Sequence, residues 1–327
     1  MKAIVNTAPG QLAWQDRPTP QPGPQGVRIR TSVCGICATD LEMIKGWGRT
    51  GFPSIPGHEW SGVVDAVGAG VDGALVGRPC VAENVLADGG EVGFEHPGGY
   101  GQFLLTEARN VRVLPDGLPM DQAALIEPLA VCVRAMGRLR IERTESALVF
   151  GDGAIGLLMA ALLRRAGVPA VSLVGGRAAR LAAAKEFGAD SVINYHDAGD
   201  ALGESIARAP GHPFPNVIEA SGSPAALALA LDVADQGGKV LLIGDYGEGR
   251  AGFPWNDLLH RELELIGSNA SAGAWDEAVA LAAAGGIPLG RLISRCLPAA
   301  EYARGIDLVR GDRNVLKVVL DWREERA

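Results

Sequence analysis

Aromatic residues make up only 5% of this 327-residue chain, its five cysteines are odd in number, and positive charge is in deficit. Each shortage removes a class of protein. With 30 Lys and Arg against 38 Asp and Glu, the formal net charge of −8 leaves no basic footprint for a nucleic-acid backbone. Cysteines at 34, 37, 80, 132 and 296 suit a reducing compartment, with thiols buried or on a metal, better than a disulfide framework. The most apolar stretch, residues 155–163, ends at Arg164-Arg165 and is too short to span a bilayer. Met1-Lys2-Ala3-Ile4-Val5 lacks the charged, apolar and cleavage regions of a secretory signal. The expectation is a cytoplasmic protein that partners neither nucleic acid nor membrane.

A hydrophobic content of 47% is ordinary for a globular chain, and the length suffices for two domains. Residues 1 to about 120 read as β-rich, with strand-like runs at 3–5, 27–30, 61–68, 102–105 and 111–114 and turn-rich stretches such as 18–24 between them. A helical pattern opens at Asp121 and runs to about Leu139, with a break expected at Pro128. From Ser146 strands alternate with helices as far as a helix at 274–284, which predicts a doubly wound parallel sheet. A last strand at 315–320 has no helix after it and is expected to return to the first domain. The predicted division is therefore 1–120 with 295–327, and 121–294.

The apolar run Ala147-Leu148-Val149-Phe150 enters Gly151-Asp152-Gly153-Ala154-Ile155-Gly156, and a helical stretch follows. A G-x-G-x-x-G in that strand–turn–helix setting is a dinucleotide fingerprint. Gly151 permits the tight turn, Gly153 the approach of backbone to pyrophosphate and Gly156 the packing of helix on strand, with N–H groups around Ala154 and Ile155 facing the phosphates. Asp152 sits awkwardly beside a pyrophosphate unless its side chain points away. At the end of the second strand a NAD site usually carries an acid; here Gly175-Gly176-Arg177 stands instead. Space at Gly176 with Arg177 and Arg180 favours the 2′-phosphate of NADP over NAD.

Cys34-Gly35-Ile36-Cys37 is a C-x-x-C, by itself half a structural zinc site or a redox pair. It follows a strand rather than opening a thioredoxin-like helix, and no other half exists. One cysteine is then sufficient as a ligand, with partners from elsewhere. Pro56-Gly57-His58-Glu59 offers an imidazole and a carboxylate, and a catalytic zinc takes three such ligands and keeps one position open. Among the other histidines only His96 stays as a weaker candidate.

These residues resemble a zinc-dependent alcohol or polyol dehydrogenase of the medium-chain dehydrogenase/reductase family. The resemblance runs through Gly35-Ile36-Cys37-Ala38-Thr39-Asp40, Gly57-His58-Glu59, Ile126-Glu127-Pro128-Leu129 and the glycine fingerprint, in the family's order over essentially the whole chain. It implies a Rossmann domain beside a discontinuous, β-rich GroES-like catalytic domain. It also implies one catalytic zinc held by Cys37 and His58, with Glu59 and Glu127 as further ligands, Glu127 matching the polyol branch. Thr39 matches the hydroxyl that relays the substrate proton, Asp40 the carboxylate behind the ligands, and Glu42 stands where many relatives end the relay in histidine. Ser221 and Gly244 are implied to line the nicotinamide pocket. The interval 81–97 is short and free of cysteine, so the structural zinc of many members is not expected. Most relatives are dimers or tetramers, and a homodimer or homotetramer is expected. A zinc-free quinone or enoyl reductase on the same fold, and a non-enzymatic NADP-binding sensor or structural protein, are the rival readings; the thiol–imidazole–carboxylate set weighs against both.

Overall fold

A computed structural model of the chain describes residues 1–142 and 144–324. The last three positions of the predicted segment 295–327 lie outside the described residues. The chain divides into two compact units, one of residues 1–128, 275–285 and 289–327, the other of 129–274 and 286–288.

The first unit is built on strand Gly26–Ile36, eleven residues that pair antiparallel with Trp60–Val67, Phe103–Glu107 and Lys317–Asp321. Its valines, isoleucines and cysteine alternate into a core with Trp60, Leu104, Val318 and Leu320, all almost fully buried. Burial of such side chains supplies about 1.5–3 kcal/mol each before chain entropy is set against it. The terminal strand does return to this sheet, with Val318 opposite Ile36 and Leu320 opposite Cys34. Trp14 stacks on Trp322 at 5.4 Å, which fixes the hairpin Lys2–Ala8 and Gln11–Asp16 to the end of that strand. Among the elements that escaped the sequence reading are strand Ile293–Pro298, parallel to Lys317–Asp321, and the helix Tyr302–Gly311 that connects them.

The second unit carries a six-stranded parallel sheet. Ala147–Phe150 lies at its centre beside Val171–Gly175 and Phe214–Glu219, and the outermost strands are Ser191–Asn194 and Glu264–Gly267. The central strand Ala147–Phe150 is an unbroken apolar run with every residue buried, as expected of a parallel sheet covered on both faces. Helix Ala154–Arg165 buries eight consecutive residues, Gly156 to Leu163. The expected break at Pro128 is corrected: a short helix Met120–Ala123 ends before Ile126, and Pro128 lies inside helix Ile126–Leu139. At the third helical position proline costs little, because an N–H there has no intrahelical partner in any case.

Candidate metal centre and dinucleotide turn

Cys37 caps the helix Ala38–Lys45 at the point where the long strand ends. The side chain of Asp40, three residues on, turns back to accept the Cys37 N–H at 2.9 Å through Oδ2. Its Oδ1 lies 3.1 Å from Nδ1 of His58, and the Tyr100 hydroxyl reaches Oδ2 at 3.5 Å. Asp40 is fully buried, so it joins the thiol and the imidazole through one rigid carboxylate. With Nδ1 committed to Asp40, Nε2 of His58 is left for a metal, the usual arrangement of a ligating histidine.

His58 arrives by a turn only glycine can make. Gly57 has φ +101°, and a Cβ there would stand 2.5 Å from the Tyr100 ring and 2.8 Å from Cys34 Sγ. Asn84 donates to the His58 carbonyl at 2.9 Å, so the cysteine-free interval supports the ligand loop. Phe94 packs on the imidazole with ring centroids 4.8 Å apart. Burial works against a proton on His58, but the charge and hydrogen bond of Asp40, with Cys37, outweigh it and hold its pKa well above the ordinary value.

Sγ of Cys37, a ring nitrogen of His58 and a carboxylate oxygen of Glu59 lie within 4.8 Å of one another. Among the described residues this is the one such group. Cys34 is excluded from it: it is wholly buried within the strand, and burial pushes its thiol well up. His96 pairs instead with Asp88 at 2.9 Å near the surface. Glu127, half-buried, is not in the convergent set, yet it shares the electrostatics of His58, Glu59 and Lys317. Burial chiefly pushes its carboxyl up to about 7, with Glu59 adding to the rise and His58 and Lys317 opposing it.

Lys317 was missed by the sequence reading. Its Nζ pairs with Glu59 Oε1, and both side chains are almost wholly buried. Burial would lower the pKa of the amine, but Glu59, Cys37 and Glu127 raise it, so a permanent cation stands among the acids. No local pattern announces it; pairing of the last strand with Gly26–Ile36 brings it there. The second oxygen of Glu59, Oε2, is buried without a hydrogen-bond partner. A thiol, an imidazole and a carboxylate oxygen left without a hydrogen-bond partner make a donor set that fits zinc, which would displace the ligand protons on binding.

Thr39 is half-buried in the first turn of the helix, its Oγ1 3.7 Å from Cys37 Sγ. Glu42 lies one turn further on the exposed side, paired with Lys45 at 2.7 Å. It is a neighbour of Thr39 by helical spacing and is not part of the buried cluster.

In the other unit Gly151, at φ +120°, makes the turn, and its N–H donates to Val174 O at 2.9 Å. A Cβ on Gly156 would come within 2.0 Å of Gly151 O, so only glycine allows this helix–strand approach. A Cβ on Gly153 would meet nothing within 4 Å, which leaves its backbone and the helix start at Ala154 and Ile155 open to an anion. The side chain of Asp152 does turn away. It accepts from the Gly176 and Arg177 N–H groups at 2.9 Å each and pairs with Arg177 at 3.0 Å and Arg180 at 3.7 Å. The arginines expected as phosphate clamps thus share one buried carboxylate. The Ala220–Gly222 and Ile243–Gly244 segments are held by Glu219, missed in the sequence. Its carboxylate accepts from Ser221 N, Gly222 N and the Tyr246 hydroxyl, while burial and that carboxylate raise the Tyr246 pKa.

Comparison with known proteins agrees with both halves of this description. Residues 23–116 match the alcohol dehydrogenase GroES-like domain, and residues 154–284 match the zinc-binding dehydrogenase domain. Fold and donor set thus define a zinc-type dehydrogenase. The chain belongs to the zinc-binding alcohol and polyol dehydrogenases of the medium-chain dehydrogenase/reductase family. It is 28% identical to a D-arabitol-phosphate dehydrogenase of Enterococcus avium over 99% of this chain and 98% of that one. Among solved structures it resembles an Escherichia coli alcohol dehydrogenase complexed with NADH, at 27% identity, TM-score 0.92 and coverage of 98% and 99%. A zinc-binding dehydrogenase of Sinorhizobium meliloti bound to NADP is similar at 26% identity, TM-score 0.91 and coverage of 98% of each chain.

Proposed function

We propose that the chain is a zinc-dependent dehydrogenase that moves hydride between the CH–OH group of a polyol or sugar alcohol and a nicotinamide dinucleotide. The observation that carries this is the convergence of Cys37, His58 and Glu59 with Asp40 behind them. When bound, a zinc ion held by these residues supplies Lewis acidity to the substrate oxygen, and the nicotinamide supplies the hydride acceptor. Asp40 fixes the tautomer of His58 and the backbone of Cys37. Lys317 balances the carboxylates, so that ligands which would repel one another share one buried space. Thr39 Oγ1 takes the substrate proton and passes it toward solvent, where Glu42 lies one turn away. Glu127, as its carboxylate, enters as a further ligand in the branch that handles polyols.

A zinc-free reductase or a sensor has no use for a convergent thiol–imidazole–carboxylate set. The dinucleotide assigned here is NADP. No acid ends strand Val171–Gly175, and Arg177, Arg180 and Asp152 together leave one positive charge for the 2′-phosphate. The chain is assigned as a homodimer or homotetramer. Strand Glu264–Gly267 is an open sheet edge with Leu265 exposed on it, and Trp255 and Leu259 are exposed on the helix that leads to it.

A panel of pentitols, hexitols, their phosphates and simple alcohols, assayed with NAD and with NADP alongside elemental analysis, tests the reading. About one zinc per chain and turnover of a polyol support it. Coenzyme binding with no oxidation of any alcohol in zinc-loaded protein would overturn it.

A further inference from the structure

A second cavity, of about 520 Å³, opens within the first unit, and none of Cys37, Thr39, His58, Glu59 or Glu127 lines it. That volume is in the range of small-molecule sites, about 300–1,000 Å³. Its wall is largely apolar, formed by Val5, Phe52, Ile55, Leu86, Phe94 and Leu104. Most ionisable groups on the wall are already committed: Glu95 to Arg49, Glu107 to Arg109 and His96 to Asp88. Arg17 is different. Among the described residues its guanidinium forms no ion pair, and its Nε is sealed from solvent with no acceptor. Thr106, on the strand Phe103–Glu107, is only 3% exposed, and its Oγ1 also has no hydrogen-bond partner.

Buried donors left without acceptors are uncommon, and each weakens a fold unless something fills the vacancy. Both of these atoms are sealed from water and neither opens on the cavity, so what the wall offers a ligand is Arg17, a lining cation with no ion pair, and that calls for an anionic partner. A single water is a poor substitute, because it needs two to four polar partners and most of this wall offers none. We propose that the cavity is a second small-molecule site, which binds an amphiphilic carboxylate. Its acid group pairs with Arg17, and its hydrocarbon body lies on Val5, Phe52 and Leu104. Phe94 closes one side and is the same ring that packs on His58, so the two sites share a wall without sharing a ligand.

Calorimetric titration of the full-length chain with octanoate, octanol and octylamine, zinc-loaded and after chelation, tests this. Octanoate is expected to bind once per chain, at least about tenfold tighter than octanol, with octylamine excluded. Arg17→Met keeps the apolar stem and removes the charge. It should weaken octanoate about tenfold or more, the value of one hydrogen bond to a charged group. Leu105→Trp, which fills the cavity from its half-buried wall, should abolish binding while circular dichroism and coenzyme affinity stay unchanged. Three results would each overturn the assignment. One is no binding by any probe; another is equal octanoate and octanol affinities that ignore Arg17→Met, the mark of an apolar void. The third is octanoate binding that disappears on chelation, which would place the acid on the metal.

Discussion

The metal cluster and the dinucleotide turn are made of opposite materials. The cluster is an assembly of buried side chains from distant parts of the sequence, with Lys317 standing 258 positions from the carboxylate it neutralises. The turn is six consecutive residues whose value lies in having almost no side chain. Buried charges must be balanced by other charges, so the cluster draws in Asp40, Lys317 and Tyr100 and is sensitive at each. A backbone site has to be bare, so the turn is sensitive wherever a Cβ would appear. Substitutions should therefore separate the two regions cleanly, one set acting on metal and fold, the other on coenzyme.

The largest effect is expected at Cys37. Cys37→Ala removes the sulfur ligand and should cut turnover about a thousandfold or more, the equivalent of roughly 4 kcal/mol of barrier. Zinc content should fall with it, while coenzyme titration by fluorescence stays within about twofold. A parallel loss of coenzyme affinity would break the comparison. Lys317→Met comes next and acts on stability. It strands Glu59 in a nearly dry interior, and loss of one partner from a buried pair costs about 3–5 kcal/mol. Denaturant unfolding of chelator-treated protein should show this loss. Lys317→Met with Glu59→Gln should recover much of it, and added zinc should shrink the deficit of the single variant, since a cation again faces the acid.

The same contrast explains what was legible beforehand. Gly151 to Gly156 could be read because strand, turn and helix are contiguous and each glycine has a local reason. Cys37, His58 and Glu59 could be read because short motifs carry them. Lys317 looked like any lysine in a strand, and its role exists only because Val318 pairs with Ile36. Glu219 was likewise hidden, as its partners Ser221, Gly222 and Tyr246 collect around it through loop closure. Pro128 misled because a proline reads as a breaker unless the helix start is known to the residue. The strand Ile293–Pro298 was lost since serine, arginine and cysteine interrupt its apolar pattern.

On the side of the turn, Gly156→Ala should do what Cys37→Ala does not. Its methyl would collide with Gly151 O and push the helix from the strand, at a cost of about 1–3 kcal/mol as overpacking. Coenzyme affinity should drop while zinc content stays at about one per chain. A variant that lost zinc as well would show the regions are not independent.

The smallest effect, and the most discriminating, belongs to Asp152→Asn. The wild-type carboxylate is buried against two backbone N–H groups, and its charge offsets part of Arg177 and Arg180. Asparagine is nearly isosteric and its amide oxygen can still accept from Gly176 and Arg177, so the loop should hold its shape. The charge is gone, and the two guanidiniums then face the adenosine ribose with nothing to temper them. The ratio of kcat/KM for NADP over NAD should rise about tenfold, roughly 1.4 kcal/mol, mostly through KM for NADP. Here a side chain inside the fingerprint tunes a backbone site, the one place where the turn behaves like the cluster. If the ratio does not move, the 2′-phosphate is not read by these arginines; nor does open space at Gly176 decide the dinucleotide, since a Cβ there would stand 2.4 Å from the Tyr195 ring.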